Sequence, residues 1–188
     1  MVGSIHGNET QGQRVVRRLA HHQARDLRGV ELWLITTVNP DGVAANTRGN
    51  AHSVDLNRNY PYAWKPIPPS SGYYSGPGPA SEPETKAMRA FLRRERPDLT
   101  IWYHQPFGHT LIPCGSGGGR QVALRYARLS GLPPDDCYPS PPGSATGWQR
   151  AKLGEKAFVV EFPAGKLSRD TVRRHARAVA KVAIAAKP

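Results

Sequence analysis

Apolar residues in this chain come in short runs separated by long polar stretches. Residues 1–5 (MVGSI), 30–38 (VELWLITTV), 99–104 (LTIWYH) and 157–162 (AFVVEF) are rich in β-branched, aromatic and aliphatic side chains and predict strands. Residues 9–27, 82–96, 120–129 and 168–186 read as helices. Ser81-Glu82-Pro83-Glu84 predicts a capping box with a proline in the first turn of the second helix. Strands that alternate with helices indicate an α/β domain with a largely buried sheet. Two stretches break the alternation. Residues 39–80 are rich in Pro, Gly, Asn and Ser, and residues 139–147 (PSPPGSATG) form a second loop of the same character. Loops of the first length are usually functional or disordered. No internal repeat is present.

Composition narrows this picture. A chain of 188 residues suits one domain, spanning 1–188, with a sizeable core. No apolar run approaches the roughly 20 residues needed to cross a bilayer, and no basic-then-apolar leader opens the chain. Met1 sits directly on an expected core strand, where a domain rarely begins, so N-terminal truncation is expected. The net charge is +12 and the isoelectric point about 10.2. Such a surface attracts polyanions, with an anionic cell wall and nucleic acid as the two candidates. Nucleic acid has charge alone in its favour, since no zinc-finger, RNP or basic-zipper pattern occurs. A solvated surface from an arginine-rich proteome accounts for the charge equally well. Cys114 and Cys137 are too few for a disulfide scaffold. They form either one loop-stapling bridge, which would argue for export, or two free thiols. Extracellular or cell-wall location is slightly favoured over cytoplasmic.

Three expected strands end in polar residues able to act together: His6 and Glu9 after the first, His104 after the third, Glu161 within the last. In open α/β sheets, sites gather beyond the carboxyl ends of strands. Two histidines and a carboxylate form a catalytic zinc set. His-x-x-Glu lets one turn present two ligands, and His104 fits as the third, with His109 in reserve. Glu161 is then a spare carboxylate placed to take a proton from water. Each piece has an ordinary alternative. A lone His-x-x-Glu is commonly a helix-start carboxylate beside an unrelated histidine, and Glu161 could reach solvent from a strand end. A carboxylate in so apolar a strand is nonetheless expensive unless paired or functional. Asn39-Pro-Asp-Gly42 reads locally as a turn. Arg48 and Arg58 lie in a loop with Asn50, Asp55, Asn57 and Asn59, which suggests an anion site because guanidinium forks bind carboxylates bidentately.

Taken in order, HGNE at 6–9, NPDG at 39–42, DLNRN at 55–59, the strand-ending His104 and the strand-borne Glu161 resemble the zinc carboxypeptidase family over nearly the whole chain. ASEPET at 80–85 and the PGS-x-x-x-W loop at 142–148 are most similar to its bacterial murein peptide amidase branch. The resemblance implies a mixed, mostly parallel sheet flanked by helices on both faces, here without the N-terminal strands that usually precede the HGNE turn. It implies one zinc ion per chain on His6, Glu9 and His104, with Glu161 as general base. It implies that Arg48 polarises the scissile carbonyl and that Asn57 and Arg58 grip the substrate's terminal carboxylate. The family's mobile tyrosine falls on Pro139, so Tyr138 is its nearest equivalent. Thr146 falls where side-chain preference is set, and it is neither strongly apolar nor acidic.

The expected function is therefore hydrolysis of a peptide bond near a free carboxylate, in cell-wall peptides at the γ-D-glutamyl-diaminopimelate bond. The alternatives are a general metallocarboxypeptidase, an N-acyl amino-acid deacylase and, outside enzymes, an inactive wall-binding module. Expected partners are a peptide or muropeptide substrate and anionic wall polymers.

Overall fold

LTIWYH becomes the centre of the molecule. In the computed structural model, which describes residues 1–22, 27, 29–154 and 156–185, it forms strand β1 (Leu99–His104), buried along almost its whole length. The other elements are α1 (Gln11–His22), α2 (Pro40–Ala45), α3 (Pro83–Glu95), β2 (Thr110–Pro113), α4 (Gly118–Ser130), β3 (Pro134–Tyr138), α5 (Ala145–Leu153), β4 (Lys156–Glu161) and α6 (Arg169–Ala185). The sheet runs β1-β4-β2-β3, with β1–β4 and β2–β3 parallel and β2–β4 antiparallel. It is thus mixed and mostly parallel, as the resemblance implied.

Strand periodicity sorts the side chains into two cores. Ile101, Tyr103, Phe158 and Val160 face α1, α4 and α6. Trp102 and Val159 face the other way, onto Met88 and Leu92 of α3 and Trp148 of α5. Side chains at successive strand positions point to opposite faces, so helices must cover both. Each fully buried aromatic here contributes about 1.5–3 kcal/mol through the area it removes from water. Among the described residues, no helix is long and apolar enough to cross a membrane.

Several expectations are corrected. The strands expected at 1–5 and 30–38 shrink to isolated bridges at Val2 and Ile35. Val2 still sits in register, donating to Ile101 O at 2.9 Å and accepting from Tyr103 N at 3.0 Å. Residues 30–38 are half-exposed to exposed, because among the described residues they pair only on the Val2 side. NPDG is not a free turn. Asn39 caps α2, its side chain accepting from Gly42 N at 2.9 Å, with Pro40 in the first turn. Ser81 makes no capping box. Glu82 holds the N-cap position without a side-chain cap, while Ser81 Oγ donates to Glu82 Oε1 at 2.6 Å. Residues 23–26 of the first expected helix, and Ala186 of the last, lie outside the described residues. Strands β2 and β3 and helix α5 were not expected at all.

The sheet's topology aims its ends at one place. His104 and Glu161 are register partners, at the last positions of parallel strands β1 and β4. Both side chains therefore emerge at the same edge of the sheet.

Candidate active site

The HGNE turn follows the bridge at Val2 and closes with Glu9 N donating to His6 O at 3.2 Å. Its glycine is dictated by packing. A Cβ on Gly7 would come within 1.9 Å of the Gly42 carbonyl carbon, so the turn lies directly on the α2 backbone. That contact places the loop carrying Arg48 and Asp55 beside His6 and Glu9. The loop is pinned by its asparagines. Asn50 Oδ1 accepts from His52 N and Val54 N, and its amide donates to Glu82 at 2.8 Å. Asn59 donates to Ser75 O and Ser81 Oγ. These two build the loop and do not line the cleft, contrary to a joint anion site with the arginines.

His6, Glu9 and His104 are each buried, and one donor atom from each lies within 4.8 Å of the others. Glu9 Oε1 is 2.9 Å from His6 Nδ1, and Glu9 Oε2 is 2.9 Å from His104 Nδ1. Asp55, missed as a functional residue in the sequence, is fully buried behind them. Its Oδ1 accepts from His6 Nε2 at 3.0 Å and from Asn57 N at 2.8 Å, and its Oδ2 accepts from Arg48 Nε at 2.8 Å. Arg48 Nη1 also donates to Glu9 Oε1 at 3.1 Å.

This arrangement fits a metal. With Nε2 donating to Asp55, His6 Nδ1 carries a lone pair. That atom is buried and makes no hydrogen bond among the described residues, although a carboxylate oxygen stands close by. Two acceptors so placed require a positive centre, either a proton on the imidazole or a cation between them. A carboxylate holding the far nitrogen is also how metal-binding histidines are usually oriented. The charges report the same demand. Burial opposes ionisation, yet the Asp55 carboxylate raises the His6 pKa. Burial likewise pushes the Glu9 and Asp55 carboxyls up, but His104 and His6 beside Glu9, and His6 and Arg48 beside Asp55, hold both well below the usual range.

Glu161 behaves differently. It is buried, its Oε2 has no hydrogen-bond partner among the described residues, and burial raises its pKa, with Glu9 adding to the effect and His104 opposing it.

A cleft of about 730 Å³ opens over these groups. Its lining includes the nine residues to which the resemblance gave a role: His6, Glu9, Arg48, Asn57, Arg58, His104, Tyr138, Thr146 and Glu161. His109 is absent from that lining and lies 2.8 Å from Phe107 O through Nδ1. Asn57 Oδ1 accepts from Ala145 N at 3.0 Å, and a Cβ on Gly143 (φ +74°) would strike Arg58 O at 2.1 Å. The Arg58 loop and the start of α5 are therefore locked together. Tyr73, unread in the sequence, spreads its ring beneath both guanidinium groups, 4.9 Å from Arg48 and 5.4 Å from Arg58. Nothing in SGYYSG marked it. A disulfide joins Cys114 to Cys137, immediately before Tyr138.

Comparison with known proteins agrees with this geometry. The zinc carboxypeptidase family profile matches residues 1–154. Murein peptide amidase A of Escherichia coli (strain K12) is 31% identical over 142 residues, which cover 69% of this chain and 57% of that protein. The Vibrio campbellii protein of the same name is 28% identical over 156 residues, covering 76% and 60%. The chain thus spans little more than half the length of these relatives. Among solved structures, the murein-tripeptide amidase of Escherichia coli O157 superposes with a TM-score of 0.75 at 27% identity, over 96% of this chain and 78% of that one. Carboxypeptidase A of Helicoverpa armigera shares the fold, with a TM-score of 0.73 at 19% identity, over 97% and 59%. With the family's ordered motifs converging on one cleft, and the profile covering most of its length, this chain belongs to the zinc carboxypeptidase family.

Proposed function

We propose that this chain, as one catalytic domain across residues 1–188, is a zinc-dependent peptidase or amidase that hydrolyses a peptide bond near a free carboxylate. The bond we assign is that between γ-D-glutamate and diaminopimelate in bacterial wall peptides. One observation carries the reading: a metal-competent triad, a buried carboxylate with one oxygen unpartnered and a guanidinium with no acid partner among the described residues meet in a single cleft.

His6, Glu9 and His104 would hold the zinc ion. Zinc at that position supplies a Lewis acid, polarising a carbonyl and making water more acidic. Glu161, kept basic by burial and with Oε2 unpartnered among the described residues, takes the proton of the attacking water and passes it to the departing amine. Arg48 is held through Nε and Nη1 by two carboxylates, which leaves Nη2 for the oxygen that gains charge. Arg58, with no ion pair among the described residues, takes the substrate carboxylate beside Asn57. Tyr138 closes the rim, and Thr146 offers a hydrogen-bonding, uncharged floor.

The choice of a wall peptide rests on likeness to the murein peptide amidases and on the +12 charge, which suits an anionic wall polymer as partner. The Cys114–Cys137 disulfide supports an oxidising compartment outside the cytoplasm. The test is a direct comparison of a muropeptide with peptides ending in Phe, Leu, Lys or Arg, with products identified by mass. Release of the diaminopimelate-containing fragment should be fastest. Faster release of an ordinary C-terminal residue would leave a general carboxypeptidase.

A further inference from the structure

The cleft contains a guanidinium that none of these roles uses. Arg150 lies one turn after Thr146 in α5, so the two side chains share a helix face and both line the cleft. Trp148 and Gln149 occupy other sides of the helix and are buried. Arg150 itself is half-buried. Its Nη2 donates to Ser140 Oγ and its Nη1 to Ala157 O at 3.4 Å, both neutral acceptors. Among the described residues no carboxylate pairs with it, and burial lowers its pKa. Arg48 differs, with two carboxylates, as does Arg120, which pairs with Asp136. A guanidinium removed from water without an acid partner is expensive to keep charged. It gains most when an anion arrives.

Arg58 shares this condition, so the cleft presents two arginines lacking carboxylates. We propose that Arg150 binds a second carboxylate, carried at the far end of the substrate's terminal side chain, and so selects substrates whose terminal residue is dicarboxylic. The placement supports it. The Arg58 loop is fixed against Ala145, and Arg150 lies five residues along the helix, about 7.5 Å at the usual rise. That distance suits a side chain of several methylenes. Leu111 and Val159 in the cleft lining provide apolar surface for those methylenes, and Ser140 steadies the guanidinium at their end.

The inference rests on the peptidase reading for the bond that is cut, but not for recognition, and the experiment separates the two. The zinc-loaded full chain is given L-Ala-γ-D-Glu-meso-diaminopimelate and, in parallel, the same peptide ending in L-lysine. The two differ only by the distal carboxylate. Wild type should favour the diaminopimelate peptide by about tenfold to a hundredfold, mainly through KM, the range for a charge-assisted hydrogen bond. Arg150→Gln should erase that preference while leaving the lysine peptide within about threefold, and Arg150→Lys should restore part of it. If Arg150 merely tethers the 139–144 loop, Arg150→Gln will slow both peptides equally. That result overturns the proposal, as does equal handling by wild type. Should neither peptide be cut, calorimetric binding of free meso-diaminopimelate against lysine decides. Tighter, Arg150-dependent binding of the dicarboxylate retains the inference while the peptidase reading falls. Equal binding discards the inference.

Discussion

His6 and His175 are equally hidden, each 1% exposed, yet their charges are driven in opposite directions. Burial, helped by the Arg174 charge, lowers the His175 pKa to about 4. Its Nδ1 lies 2.7 Å from the Tyr126 hydroxyl, which is 3.2 Å from that of Tyr103, and its Nε2 has no partner among the described residues. This is a neutral cluster between α6, α4 and β1. His6 is buried as deeply, but the Asp55 and Glu9 carboxylates overcome desolvation and raise its pKa. The two clusters are neighbours, since Tyr103 and His104 are consecutive on β1 and point to opposite faces. Burial therefore does not decide whether a histidine serves the core or a cation. The carboxylates beside it do.

The contrast can be broken in graded steps. Removing a proposed ligand is the most severe. His104→Ala should abolish both zinc binding and turnover, read by metal analysis of the purified protein and by a peptidase assay; full zinc occupancy in that variant would discard the ligand set. Glu161→Gln should keep fold and zinc but lose roughly 10²–10⁴ in kcat, and near-normal turnover would reject it as the base.

On the neutral side, His175 titrates near 6.5 when unfolded and near 4 when folded. Between those values the unfolded chain binds more protons. Stability is therefore complete above about pH 6.5 and falls as pH drops towards 4, by up to about 3 kcal/mol. Denaturant midpoints at pH 7 and pH 4.5 should lie closer together in His175→Gln than in wild type. An unchanged gap would mean that His175 is not the group lost to acid.

Three further effects sharpen the charged side. Asp55→Asn leaves the shape but removes the charge behind His6, and should weaken zinc affinity by roughly 10–100-fold in a chelator competition. Arg58→Gln should raise KM about tenfold with kcat little changed, whereas Arg48→Lys should lower kcat. The reverse pattern would exchange their roles.

What the sequence made legible was the chemistry that strands expose at their ends. His104 and Glu161 could be placed because LTIWYH and AFVVEF announce strands, and a polar group closing such a run has few reasons to be there. The paired two-sided core followed from the same runs. What stayed hidden depended on contacts distant in sequence. PDDCY has no apolar alternation; β3 exists because it pairs with β2 and is joined to Cys114. Helix α5 begins inside a Pro- and Gly-rich stretch, where only the Ser144 cap marks it, with Oγ accepting from Gly147 N. Missing that helix meant missing that Thr146 and Arg150 lie one turn apart. VELWLITTV was over-read, since β-propensity does not supply a second neighbour. Asp55 looked like one polar residue among several until the fold set it behind His6.

The glycine-on-glycine contact between the two turns also matters to anyone rebuilding this protein. A side chain at Gly7 would meet Gly42, and one at Gly42 would meet Asn39 and Gly49 O. Neither turn can therefore drift or be shuffled alone. In a chimera or a mutational library, HGNE and NPDG behave as a single inherited cassette, although 29 residues separate them. A graft that put a side chain at either glycine would push the two turns apart, and His6 and Glu9 with them.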